Sequence, residues 1–232
     1  MSVLPGEILV RIALFIPSSS DVFSYVDALR SHCDLGPLEQ LYEWGNHYRM
    51  SDLWPSLTIT AAFLDRERHR DVKSMVQMYS TVFVYSLVES EDLKWLREHV
   101  DPMAEQEWVL IMYFSQPGST EFWNTFVNFQ IVKLTLKGVT TDMANYLAKF
   151  QFLRSLELAG HNLNEESILE FAAASARLTE LKLHTSTFVQ PTDSMLRNAI
   201  AWFRRQPVQS FSCWLWRWGV NDIELKKEFL ES

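Results

Sequence analysis

The chain has 232 residues, of which 47% are hydrophobic and 22% are charged, a composition typical of ordinary globular proteins and unlike that of disordered ones. Its formal net charge of −8 argues against nonspecific binding of nucleic acid, which depends on a basic surface. No apolar run approaches the roughly 18 residues of a membrane span, so no membrane partner is expected. Two cysteines and no recognisable export signal predict a reducing compartment, the cytoplasm or the nucleus.

The first forty-five residues or so predict three short helices. Pro5 opens the first helix, and Pro17 ends its broad apolar stripe, which consists of Ile8, Leu9, Ile12, Phe15 and Ile16. The second helix starts at Ser20 or Asp21, and the third starts at 36–37 and continues toward Trp44. Three helices of this size enclose a very small core, so they are expected to lean on the rest of the chain or on a partner.

Three later segments share one apolar pattern. Segments 131–136, 153–158 and 178–183 carry apolar residues at relative positions 1, 4 and 6, and an apolar residue or Thr follows at position 11. This is the L-x-x-L-x-L-x-x-N-x-L outline of a leucine-rich repeat. The Asn position instead holds Val139, His161 and Ser186. The sequence therefore predicts an irregular, ribonuclease-inhibitor-like variant of the repeat.

Weaker copies of the pattern flank these three. With the central apolar residue as a marker, the copies fall at positions 57, 83, 110, 134, 156, 181 and 211, so that successive markers are 26, 27, 24, 22, 25 and 30 residues apart. The segments between them predict amphipathic helices that begin near Ser90, Thr120, Thr141, Asn164 and Thr192. A helix near 221–230 is expected to cap the last repeat. Helical crossovers of this length suit parallel strands.

These elements predict an α/β fold. A short helical N-terminal module, residues 1–46, precedes an open leucine-rich-repeat solenoid, residues 47–232, of about seven parallel strands with helices on the convex side. Single repeats cannot bury a core, so each relies on stacking against its neighbours.

The N-terminal module resembles an F-box. Residues 4–17 read LPGEILVRIALFIP, close to the family pattern L-P-x-E-I-L-x-x-I-x-x-[FY]-[LI]-P, and Asp21-Val22 stands where the family usually has Asp-Leu. Cys33 and Trp44 are looser counterparts of a cysteine or serine and of a buried tryptophan in the third helix. An F-box followed by leucine-rich repeats is a known combination.

The resemblance implies a partner rather than a reaction. F-box proteins dock a Skp-type adaptor of a cullin–RING ubiquitin ligase, and their repeats hold the protein client. By matching position, the adaptor-binding residues would be Leu4, Pro5, Ile8, Ile12 and Pro17. The alternative is a repeat scaffold without a ubiquitin role, in which the N-terminal helices only cap the first repeat.

The concave face of the strands is the expected client surface, because side chains alternate along a strand. Val82 and Val84, with Val109, Ile111 and Tyr113, would form an apolar patch there, which the N-terminal helices or a loop could instead cover. A mixed-charge section follows it. The residues expected to bind the client are Val84, Ile111, Tyr113, Lys133, Thr135, Lys137, Glu157, Glu180, Lys182 and Trp214.

Trp214, Trp216 and Trp218 alternate, so they are expected on one strand face, either as a contact site or as a seal under the last helix.

The sequence offers no support for an enzyme. There is no glycine-rich phosphate loop, and the six histidines and two cysteines lack metal-ligand spacing. A pair formed by His161 and His184 in neighbouring repeats is a remote alternative. The acids Glu165 and Glu166 are expected to serve the dipole of the helix that they begin. We therefore expect no catalytic residue, no cofactor and no metal.

Overall fold

A computed structural model describes residues 5–112, 120–139, 144–161, 163–217 and 223–231. Four residues used in the predictions lie outside these ranges: Leu4, Tyr113, Thr141 and Trp218. Within them, no helix is long and apolar enough to cross a membrane. The strands are β1 (Leu57–Thr60), β2 (Thr81–Tyr85), β3 (Glu105–Ile111), β4 (Ile131–Val139), β5 (Ser155–Gly160), β6 (Glu180–Thr185) and β7 (Ser210–Cys213).

Helices precede the first strand and occupy the segments between strands. They are α1 (Gly6–Ala13), α2 (Ser19–Arg30), α3 (Pro37–Gly45), α4 (Met50–Leu53), α5 (Ala61–Glu67), α6 (Lys73–Val76), α7 (Ser90–His99), α8 (Thr120–Phe126), α9 (Ala144–Leu147), α10 (Glu165–Ala174), α11 (Asp193–Arg205) and α12 (Ile223–Glu231). The α/β fold with strand–helix alternation is confirmed, as are the three N-terminal helices.

The seven strands follow one another in the sheet in chain order, from β1 to β7. The pairs β1–β2, β4–β5, β5–β6 and β6–β7 are parallel. In the last four strands the markers align as predicted, with Leu134 opposite Leu156, Leu156 opposite Leu181, and Leu181 opposite Phe211. A register shift between Lys137 and Val139 interrupts only the end of β4.

Strict alternation of apolar and polar residues explains why β5 and β6 adopt this register. Leu156 and Leu158 on β5, and Leu181 and Leu183 on β6, are fully buried, whereas the residues between them are half-exposed. Burying a leucine stabilises the fold by about 1.5–3 kcal/mol. A slip by one residue would exchange these leucines with charged neighbours, so it is strongly disfavoured.

The register predicted for β2 is wrong by one residue. Leu57 is opposite Val82, and Ile59 is opposite Val84, so the buried side chains of β2 are Val82 and Val84. Phe83, the predicted marker, lies on the half-exposed face instead. Since the strand reads TVFVY, both of its faces are apolar, and alternation alone cannot decide between them.

Helices α10 and α11 begin directly after their predicted caps, Asn164 and Thr192. The Asn164 side chain accepts a hydrogen bond from the backbone N–H of Ser167 at 3.2 Å, and Thr192 accepts one from Met195 at 3.2 Å. These bonds satisfy amides that have no partner within the helix. Helix α7 differs slightly, because it begins at Ser90 itself and Glu89 occupies the cap position without a side-chain bond.

The chain divides into two compact units, Met1–Gln106 and Glu107–Ser232, with the division inside β3. The domain boundary expected after residue 46 stays a prediction. The N-terminal helices belong to the first unit together with β1 and β2. The ring of Trp44, fully buried on α3, lies 5.1 Å from that of Phe63 on α5, which is one physical reason that the helices and first strands form one unit.

Two hydrogen bonds connect parts of this unit that are far apart in the sequence. The indole N–H of Trp54 donates to the carbonyl oxygen of Ile16 at 2.6 Å, and the hydroxyl of Tyr79 donates to the carbonyl oxygen of Leu53 at 2.6 Å. The Trp54 and Tyr79 rings are 6.0 Å apart. Both donors satisfy carbonyls near the ends of short helices, where intrahelical partners run out.

The second unit has an aromatic core between its sheet and its helices. Trp108 on β3 lies edge-on to Phe126 on α8, with ring centroids 4.7 Å apart. The buried indole of Trp202 on α11 donates to the Leu178 carbonyl oxygen at 2.8 Å. Helix α11 thereby bonds directly to the backbone that leads into β6.

Candidate functional site

Helix α1 has apolar residues on both sides. Leu9 and Ala13 are buried inside the first unit, whereas Ile8 is 42% exposed, Ile12 is 40% exposed and Phe15, just past the helix, is 88% exposed. The spacings 8, 12 and 15 place the exposed side chains on one face. We call Ile8, Ile12 and Phe15 the α1 ridge. Pro5 and Pro17, two further residues expected to bind an adaptor, are exposed as well.

Backbone hydrogen bonds fix the turn that carries Phe15. The Phe15 amide donates to Ile12 at 3.1 Å and the Ile16 amide donates to Ala13 at 2.8 Å. The Ile16 carbonyl accepts the bond from Trp54 described above. The end of the α1 ridge is therefore fixed by the backbone while the Phe15 ring itself projects into solvent.

The half-exposed face of the strands in the second unit is lined with paired polar groups. Lys133 lies 3.3 Å from Glu107, the Ser155 hydroxyl donates to Glu180 at 2.8 Å, and His184 Nε2 lies 3.6 Å from Glu157. These pairs join neighbouring strands. We call this the exposed face. It includes Ile111, Lys133, Lys137, Glu157, Glu180, Lys182 and Trp214 among the residues expected to bind a client.

Two residues expected to bind a client on this surface are buried. Val84 is 0% exposed because the β2 register places it in the core, so its assignment to client binding is wrong. Thr135 alternates with the buried Leu134 and Leu136, as expected, but is itself only 8% exposed.

Trp214 and Trp216 do not share one face, contrary to the expectation from their alternation. Strand β7 ends at Cys213, and Leu215 has a left-handed backbone with φ 65°, so the chain turns between Trp214 and Trp216. Trp214 is 60% exposed, and its ring lies 5.4 Å from that of His184. Trp216 packs against Phe211 at 5.9 Å and Phe229 at 6.3 Å. Trp216 thus seals the end of the unit under α12, as one of the alternatives predicted.

Glu165 begins helix α10, as expected, but its carboxylate is buried. It is 5% exposed, and its Oε2 accepts a 2.5 Å hydrogen bond from the Trp216 indole. Burial raises the pKa of Glu165, and the bond from Trp216 opposes that rise only in part. Burial, with the nearby Glu165, also raises the pKa of the Cys213 thiol. The donor is 51 residues away, so no local pattern around Glu165 could have revealed it.

The two histidines considered as a pair have separate partners. His161 Nδ1 lies 2.6 Å from the Ser186 hydroxyl, while His184 contacts Glu157 and Trp214. Within the described ranges, no group of three or more His, Cys, Asp or Glu side chains is placed to hold a metal ion. In comparisons with known proteins, no protein-family model, no curated protein and no solved structure matches this chain.

Proposed function

We propose that this protein is a substrate receptor that docks a Skp-type adaptor through helix α1 and holds a protein client on a leucine-rich-repeat-like surface. The α1 ridge carries the proposal. A helix that only capped the first strands would bury its apolar residues, yet Ile8, Ile12 and Phe15 remain exposed opposite the buried Leu9 and Ala13. Adjacent exposed apolar side chains on one helix face are typical of protein interaction sites.

The ridge also has the physical form of a docking site. Its residues recur at helical spacing, as in helices that insert one apolar face into a partner's groove. Trp44, on the third helix, is buried, as the F-box resemblance implies for that helix. The backbone bonds around Phe15 hold the ridge in place before binding, which reduces the entropy that association must overcome.

A second candidate is a repeat scaffold without a ubiquitin role, its helices acting as a cap. The packing of Trp44 against Phe63 and the bond from Trp54 to Ile16 favour it, because they join the helices to the first strands. Capping and docking use opposite sides of α1, so these contacts are compatible with both functions. Only docking gives the exposed side a role.

The test is co-purification of the full chain with a recombinant Skp-type adaptor. We expect wild type to retain the adaptor, and the Ile8→Ser/Ile12→Ser variant to lose at least about tenfold in affinity, as expected for two apolar contacts near an interface centre. Ile223→Ser on α12 is the matched control, because it removes another exposed isoleucine.

The adaptor experiment separates the candidates by its outcomes. If wild type and the double variant retain equal amounts of adaptor, or if neither retains any, docking through α1 is refuted and the scaffold remains. Circular dichroism of each variant checks that the fold is intact. We expect it to be unchanged, since surface substitutions away from the core usually cost about 0.5 kcal/mol or less.

A further inference from the structure

Beyond the ends of β6 and β7, two segments of the chain pair with each other as a short ribbon. The Val189 amide donates to the Leu215 carbonyl oxygen at 3.1 Å, and the Arg217 amide donates to the Val189 carbonyl oxygen at 2.8 Å. These two bonds form an isolated parallel bridge. We call residues 188–190 and 215–217 the end ribbon.

One face of the end ribbon is anchored to the core of the second unit. The half-buried Trp216 donates its indole N–H to the buried Glu165, and its ring packs against Phe211. Val189, which is opposite Trp216 in the bridge, is half-buried as well. Because side chains alternate along extended backbone, the neighbours of Val189 and Trp216 project to the other face.

The outward face of the end ribbon is apolar. The register of the bridge places Phe188 opposite Leu215, and these side chains are 58% and 36% exposed. Trp214, directly before the end ribbon, is 60% exposed. The Arg217 guanidinium carbon lies 3.5 Å from the centroid of the Phe188 ring, yet more than half of Phe188 remains in solvent. Large apolar side chains that are exposed side by side are typical of interaction sites.

Arg217 gives the end ribbon an unbalanced positive charge. It is the one charged residue among the six. In the ranges that the structure describes, no carboxylate lies within 4.0 Å of its guanidinium, and its side chain makes no hydrogen bond. Glu165 is only 5% exposed and lies on the anchored face, where it accepts the bond from Trp216. Glu157 contacts His184 on the exposed face instead. No acid is therefore presented together with Arg217.

The contact with Phe188 leaves Arg217 ready to bind an oxyanion. At 3.5 Å the flat guanidinium lies against the ring, which attracts it through its face. The N–H donors of a guanidinium point outward from its edge, so this contact does not use them. A carboxylate pairs with such an edge through two parallel hydrogen bonds. The ring thus restricts the guanidinium while its donors stay open to a ligand.

We propose that the end ribbon binds a segment of a protein client in which a carboxylate stands beside an apolar side chain. The carboxylate pairs with the edge of Arg217, and the apolar side chain covers Phe188 and Leu215, with Trp214 at the border of the contact. The open donors of Arg217 select the carboxylate, and the exposed apolar surface selects its neighbour. A nucleic acid fits less well, because a single arginine neutralises few phosphates. The inference rests on the proposed function only in taking the segment to belong to a client.

The experiment is affinity selection of a random peptide library on the immobilised full chain, so that any chemistry can emerge. We expect enriched peptides to carry Asp or Glu next to an aromatic or aliphatic residue. Arg217→Gln should weaken the best peptide by at least about tenfold, and Phe188→Ser by a similar factor. Arg217→Lys keeps the charge without the planar donors, so it should retain only part of the affinity. Arg197→Gln removes another exposed arginine, on α11, and should have little effect.

Three outcomes would overturn the inference: enriched peptides without an excess of acids, a best peptide that binds the Arg217→Gln variant as tightly as wild type, or no enrichment at all. Stronger binding of a single-stranded oligonucleotide at the same salt concentration would also overturn it. Circular dichroism checks the fold of each variant. If Arg217→Gln does not fold, Arg217→Lys decides, and an affinity equal to that of wild type overturns the inference.

Adaptor retention by the same protein is measured separately. Peptide binding without adaptor binding refutes the proposed function alone, and adaptor binding without peptide binding refutes this inference alone.

Discussion

Tyr79→Phe deletes a single oxygen atom from the interior of the first unit. The Tyr79 side chain is buried, and its hydroxyl is the donor to the Leu53 carbonyl oxygen at 2.6 Å. Burial raises the pKa of Tyr79 well above its ordinary value, so the phenol stays protonated and remains a donor at neutral pH. Phenylalanine keeps the ring that packs near Trp54, so no large cavity forms.

The loss of folding free energy in Tyr79→Phe comes from the carbonyl group that is left without its donor. The Leu53 carbonyl loses this donor in a place that water does not reach, and leaving a buried acceptor unsatisfied costs about 1–3 kcal/mol. A chain of this size loses roughly 2–4 °C in Tm for each kcal/mol. We therefore expect the Tm of a transition that unfolds the whole chain to fall by about 2–12 °C.

The assay is thermal and urea denaturation of the full chain, followed by tryptophan fluorescence and by circular dichroism. Two probes are needed because a chain with two compact units need not unfold in one step. Tyr85→Phe is the matched control: Tyr85 is an exposed tyrosine on β2, and loss of its hydroxyl leaves no buried group unsatisfied. A loss below about 0.5 kcal/mol for Tyr79→Phe, or equal losses for both variants, would refute the reasoning.

Three further predictions concern the second unit. Leu181→Ala removes a fully buried side chain on β6 and should cost about 2–5 kcal/mol in urea denaturation. Asn164→Ala removes the bond to the Ser167 amide and should cost about 1 kcal/mol in the same assay. Burial raises the pKa of Glu165 above its ordinary 4.5, so the stability that its protonated form contributes is present below that pH and declines as the pH rises through the raised value. Glu165→Gln keeps an acceptor for Trp216 without a charge, and it should exceed wild type in Tm at pH 7 and lack this decline.

For each of these three predictions, one specific result would contradict it. A Leu181→Ala variant within about 1 kcal/mol of wild type would mean that β6 packs differently from the structure. Asn164→Asp keeps the cap and should match wild type, so a large loss there would argue against capping as the cause. Parallel curves of Tm against pH for wild type and Glu165→Gln would show that Glu165 does not titrate in this range.

Sequence patterns predicted the second unit better than the first. In β4 to β6 apolar leucines alternate with polar residues, and the register of Leu134, Leu156 and Leu181 follows from that contrast alone. In β2 both faces are apolar, so the sequence pattern alone does not decide whether Val84 or Phe83 is buried. The choice depends on packing against β1, which a single sequence does not reveal.

In the candidate sites, too, the features set by neighbouring residues were predicted, and those set by contacts with distant parts of the chain were not. The apolar residues of α1 were evident from their spacing, but which of them are buried depends on contacts with other elements. Trp214 and Trp216 were expected on one face, and a single left-handed residue, Leu215, separates them. Because leucine rarely adopts that conformation, the residue type at position 215 did not predict a turn there. The burial of Glu165 was not predicted, because its partner Trp216 is far along the chain.

The alternation along β5 and β6 also bears on how this protein could change over evolutionary time. Residues that hold the sheet together, such as Leu158 and Leu183, point to one side, and Ala159, Lys182 and His184 point to the other. Mutations on the second side usually cost little stability. Substitutions can therefore accumulate on that side, strand by strand, while packing constrains the buried side, so that one scaffold can present different surfaces.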